Sequence, residues 1–173
     1  MFDAAPAWFR LALTEIGTRE EPENKGPAIR RYINMAHCGE EGDPWCAIFV
    51  NAMLETSGVT GTRSASSQSF TRNSHFVHMG KPALGAVVVF WRGSGPHSGI
   101  GHVGFYRGEL NGYVYTLGGN EGDMVQIEPY PKNSPRFGLV GYFWPASIPI
   151  PQTGPIIMPA GTPAHQTNPS KVI

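Results

Sequence analysis

Cys46 and His102 are the residues of this chain whose types and surroundings can together break an amide bond. A thiol attacks a carbonyl as thiolate, and a helix N-terminus favours that form because its unpaired amides and macrodipole attract negative charge. The stretch from Asp43 to Leu54 predicts such a helix, with Asp43 as N-cap, Pro44 at the first position and a stop near Gly58. Cys46 then falls in the first turn, where neighbouring amides, its own included, can donate to a developing oxyanion. Among Trp45, Ala47, Ile48 and Phe49 the same cysteine also reads as a small buried apolar residue.

The base must come from another element. Gly101-His102-Val103-Gly104-Phe105 has the alternation of a strand, with Val103 and Phe105 on one face and His102, Gly104 and Tyr106 on the other. Glycine keeps the surface around the imidazole low, as a substrate groove requires. A hydrogen-bonded structural histidine is the competing reading. In Thr116-Leu117-Gly118-Gly119-Asn120 the same alternation places Asn120 on the face of Gly118 and Thr116. An amide there can accept from one ring nitrogen of His102 and leave the other toward sulfur. Gly-Gly-Asn equally favours a plain turn.

The elements that must position these residues form an α+β pattern. Helices are predicted from Asp3 to Gly17, with Asp3 as N-cap, from Pro27 through Ala36, and at the cysteine. The Ser-rich stretch between Thr60 and Pro82 predicts a short helix near Ser64 and then a loop or strand. Five glycine-punctuated β-like runs follow, Ala86 to Trp91, Gly101 to Arg107, Tyr113 to Leu117, Val125 to Ile127 and Leu139 to Trp144, and they argue for an antiparallel sheet or small barrel. The organisation expected is one domain over residues 1–147 and a Pro-rich tail over 148–173. In a polyproline conformation that tail could reach on the order of 80 Å, as a tether or docking segment, or it could be a solvated end.

With 13 basic and 13 acidic residues the chain is formally neutral and has no Lys/Arg run, so nucleic acid is a poor partner. Its apolar runs are too short to span a bilayer, and no secretory signal is visible. Two cysteines, Cys38 and Cys46, do not make a disulfide framework, although a single bridge between them is a competing reading. Their spacing to His37 and His97 matches no closed zinc pattern, so neither metal nor cofactor is expected.

The blocks Asp43-Pro44-Trp45-Cys46-Ala47-Ile48-Phe49-Val50, Gly101-His102-Val103-Gly104-Phe105-Tyr106 and Leu117-Gly118-Gly119-Asn120 resemble, in this order, the motifs of the CHAP and NlpC-type cell-wall amidases and endopeptidases. The likeness runs from about Ala7 to Pro145 and is nearest to a small single-domain branch found in phages and bacterial effectors.

The resemblance implies a papain-like fold with N-terminal helices packed on a small antiparallel sheet. It implies Cys46 as nucleophile, His102 as general base and then acid, and Asn120 as the group orienting the histidine. Trp45, Gly101 and Gly119 would line the substrate groove. Two residues depart from the pattern: Ala86 stands where relatives often have Asp, and Glu121 follows Asn120 where an amide is common, which brings a carboxylate near the site.

The expected activity is cysteine-dependent hydrolysis of amide bonds in bacterial peptidoglycan, on its stem or bridge peptides. The enzyme would be made in the cytoplasm and act in the periplasm or on the wall after delivery, with delivery machinery or an inhibitory immunity protein as partners. An amidohydrolase or deamidase acting on protein or small amides, and a catalytically silent module binding cell-wall peptide, are the alternatives.

Overall fold

The apolar run beginning at Cys46 folds as the predicted central helix, and the other elements are arranged around it. In the computed structural model, which describes residues 4–168, α3 (Cys46–Thr56) is buried at every position from Cys46 through Leu54. A helix apolar all round must be covered all round. Against it pack α1 (Ala7–Thr14), which buries Trp8, Phe9 and Ala12, and α2 (Pro27–Ala36), which buries Ile29, Tyr32 and Ala36. α2 starts on Pro27, whose fixed φ suits a first turn, and ends where His37 turns left-handed.

Two helix starts differ from expectation. α1 opens after Pro6, and Asp3, expected as its cap, lies outside the described residues. Asp43 does not cap α3: its carboxylate turns back to accept from the Glu40 amide at 3.0 Å, so Trp45 becomes the N-cap and Cys46 the first helical residue.

The strands are β1 (Phe76–Met79), β2 (Val87–Arg92), β3 (Gly101–Leu110), β4 (Tyr113–Gly118), β5 (Gln126–Pro131), β6 (Asn133–Ser134) and β7 (Phe137–Pro145). They form one seven-stranded antiparallel sheet in the order β1-β7-β2-β3-β4-β5, with β6 pairing β7. The fold is therefore α+β. β2 lies between β7 and β3 and is buried from Val87 through Phe90, as an unbroken apolar run requires. β5 turns back over one face of the sheet, so Tyr130 stacks on Phe137 of β7 at 5.3 Å and lies 5.3 Å from Phe90. The Ser-rich segment supplies a 3₁₀ turn (Ser67–Thr71), capped by Ser66, and then β1.

The C-terminal stretch is not the free tether that its prolines suggested. Ile156 and Met158 bracket Glu109 of β3: Glu109 N–H donates to Ile156 C=O at 2.8 Å, and Met158 N–H donates to Glu109 C=O at 2.9 Å. Further on, Gln166 exchanges both backbone hydrogen bonds with Ile127 of β5, at 3.0 and 3.2 Å. Met158 is buried at 4 % exposure. Proline removes only its own donor; the residues between the prolines retain theirs and use them on the sheet. Among the described residues no helix is long and apolar enough to cross a membrane.

Candidate active site

Because α3 begins at Cys46, the thiol sits on the first turn of the central helix, where that helix meets β3. The Val103 amide of β3, the Ala47 amide and the cysteine's own amide all point toward the sulfur. The residue is only 6 % exposed and opens onto a pocket of about 160 Å³ that Gly101, Ser67 and Arg92 also line. Burial outweighs the three amides and pushes the thiol up to about 11. Burial thus works against the lowering expected of a helix N-terminus. Both cysteines are free thiols, so no bridge joins Cys38 to Cys46.

His102 stands on β3 directly opposite Phe90 of β2, and Tyr130 covers its ring with centroids 4.7 Å apart. Its Nε2 is 2.9 Å from Oε1 of Glu121. Nδ1 is the ring nitrogen not bound to Glu121, and Val103, whose amide meets the sulfur, is the next residue along the strand. Burial, assisted by the positive charge of Arg92, pushes the imidazole down to about 3. Burial thus favours the uncharged form of both thiol and imidazole.

The place expected for Asn120 is taken by Glu121. β4 ends at Gly118, and Asn120 then adopts φ 57°, a left-handed conformation that breaks the alternation. The turn swings the next side chain under the imidazole, where Glu121 is 1 % exposed. Gly118 is small because it must be: a Cβ there would stand 2.5 Å from Glu121 Oε1. Thr116 Oγ1 also donates to Oε1, at 3.1 Å, whereas the buried Oε2 has no hydrogen-bond partner among the described residues. Burial and the charge of Glu128 raise this carboxyl well above its ordinary range, against the pull of the Thr116 hydroxyl. The geometry suits a neutral acid. Oε1 serves as a carbonyl-like acceptor for two donors, and an anion would cost most at the unpartnered Oε2.

Of the three residues expected to line a groove, only Gly101 does so. Trp45 is fully buried, stacked on Tyr32 at 5.8 Å with its indole N–H donated to Glu20. As the N-cap of α3 it points back toward α2 rather than outward beside the thiol. Gly119 is buried behind it, since a Cβ there would meet the Trp45 ring at 2.5 Å and Phe49 Cβ at 2.7 Å.

Sequence reasoning missed Asn51 and Tyr130. Asn51 is the one polar residue in the buried run of α3. It donates to Ala47 C=O and Ser64 C=O and accepts from the Thr62 amide at 2.7 Å, and so fixes the loop that leads to Ser67 on the pocket wall. An amide inside an otherwise apolar helix was the available signal, since a buried polar group needs partners. Tyr130 lies in a Pro-flanked stretch with no local cue. Among the described residues no cluster of His, Cys, Asp and Glu could hold a metal ion.

Residues 39–120, from just before α3 to the turn after β4, match the family model of the CHAP domain. A CHAP domain is papain-like, in agreement with an N-terminal cysteine helix set against an antiparallel sheet that carries the histidine. No curated protein and no solved structure matches the chain.

Proposed function

We propose that this protein hydrolyses amide bonds of bacterial cell-wall peptides through Cys46, since residues 39–120 match the family model of the CHAP domain, whose members are in general amidases or peptidases of peptidoglycan. The observation that carries this reading is a thiol that opens onto a pocket and meets the Val103 amide, beside a glutamate-held imidazole on the preceding residue of the same strand.

In the proposed reaction Nε2–H of His102 donates to Glu121, which leaves Nδ1 as acceptor. As sulfur attacks the carbonyl carbon, the thiol proton passes to Nδ1, and the new oxyanion forms at the N-terminal end of α3. The tetrahedral species collapses to a thioester when the imidazolium returns its proton to the departing amine. Water, deprotonated by His102, then releases the acid and restores the thiol. Glu121 acts here as a positioning residue, which fixes the tautomer without moving a proton to substrate.

The substrate places the site of action in the periplasm or on the wall, so the proposal includes delivery there by a phage lysis system or as a secreted effector. Digestion of purified sacculi with mass spectrometry of the fragments tests the activity and identifies the bond. Cys46→Ala should release no fragments while keeping its fold, and Cys38→Ser should retain most of the parent's activity. Undiminished digestion by Cys46→Ala would remove the cysteine mechanism, and no digestion by the parent would favour a silent binding module.

A further inference from the structure

Beside the pocket that Cys46 opens onto lies a second cavity of about 260 Å³, and Gly99 lines both. Arg92 lines the first and Arg72 the second, and neither cavity is lined by an Asp or Glu. Elsewhere Arg31, Arg63 and Lys132 lie against carboxylates. The guanidinium groups of Arg92 and Arg72 make no hydrogen bond or ion pair among the described residues.

Arg92 is held at its root and free at its tip. It is the last residue of β2, its amide donates to Ile100 C=O at 2.9 Å, and its own carbonyl accepts from Ser98 Oγ at 2.7 Å. The same hydroxyl reaches Ile100 C=O at 3.2 Å, so the base of the β2–β3 loop is clamped while the guanidinium stays exposed. A guanidinium offers a planar fork of donors matched to a carboxylate, and a fixed backbone lowers the entropy lost when it binds one.

We infer that Arg92 binds a free carboxylate of the substrate next to the scissile amide, with Arg72 extending the same positive wall, so that the groove selects acidic peptides. This rests on the reading of Cys46 as the nucleophile of that groove. Its consequence reaches the chemistry. The charge of Arg92 helps to keep His102 from accepting a proton, and a bound carboxylate neutralises that charge. An acidic substrate therefore makes His102 a stronger base at the moment the thiol must be deprotonated.

Binding can be read without turnover in Cys46→Ala. This variant is titrated calorimetrically with a cell-wall stem peptide that carries a free α-carboxylate on its glutamyl residue, and with the same peptide as the carboxamide. The acid should bind about tenfold tighter, in keeping with one charge-assisted fork. The gap should vanish in Cys46→Ala/Arg92→Gln and survive in part in Cys46→Ala/Arg92→Lys. Equal affinity for the two peptides, no measurable binding of the acid, or discrimination that persists without Arg92 would overturn the assignment. Hydrolysis by the parent is read separately: wall digestion with equal binding removes only the Arg92 subsite, and acid-selective binding without digestion removes only the hydrolase.

Discussion

The carboxyl of Glu121 lies 2.9 Å below Nε2 of His102, delivered there by the turn that follows β4. Its other donor is the Thr116 hydroxyl and its second oxygen has none among the described residues, so what it offers the imidazole is a single carbonyl-like acceptor.

An amide offers the same carbonyl-like acceptor. Glu121→Gln should therefore keep kcat/KM within a few-fold, whereas Glu121→Ala should lose on the order of 10²-fold by freeing the imidazole and its tautomer. Asn120→Ala should stay close to the parent. Equal losses in the Gln and Ala variants would mean that a negative carboxylate is needed after all.

Two adjacent glycines separate activity from stability. Gly118→Ala places a methyl 2.5 Å from Glu121 Oε1, so it should displace the carboxyl and lower kcat in a protein that still melts cooperatively. Gly119→Ala drives the same methyl into the Trp45 ring and should lower Tm, as overpacking of a core costs about 1–3 kcal/mol. Thermal melts and initial rates on both variants decide; a Gly118→Ala enzyme with full activity would place the carboxyl elsewhere.

Cys46 holds its proton more tightly in the fold, at about 11, than at its ordinary value of 9.0. A group raised in this way keeps its contribution to stability below the unfolded value and loses it as pH rises through the folded one. Between these two pH values the parent should therefore lose more Tm than Cys46→Ala. Buried tyrosines such as Tyr106 add an alkaline loss to both proteins, so the difference isolates the thiol. Parallel curves would show a thiol that is not desolvated.

Met158 and its neighbours hold the C-terminal stretch against β3, so removal of residues 154–173 should cost stability. Met158→Ala alone should cost about 2 kcal/mol. Urea melts should show a lower midpoint for both, with the truncation lower than the point variant. Unchanged midpoints would mean that the stretch rests on the domain without stabilising it.

What could be read from the sequence had a local cue. An apolar run behind proline marked α3, glycines around a strand-borne histidine marked His102, and period-two alternation marked the sheet. Carried past the end of β4, the same alternation failed, because Asn120 is left-handed and Glu121 inherits the position under the ring. Trp45 adjoins the cysteine in sequence, yet the helix starts between them, so one faces the pocket and the other faces α2. The C-terminal stretch was misread because composition averages over its prolines, whereas its attachment depends on Ile156, Met158 and Gln166 individually.

That attachment also has a consequence outside the molecule. The sheet ends at β5, and an uncovered strand edge is a template on which another chain can add a strand. Here Gln166 occupies the ladder positions of Ile127, the segment Gly17–Glu20 occupies those of residues 123–125, and Pro129 and Pro131 have no donors to offer. The C-terminal stretch thus completes the cover of the β5 edge, a property that would show itself in concentrated solution rather than in the rate of any reaction.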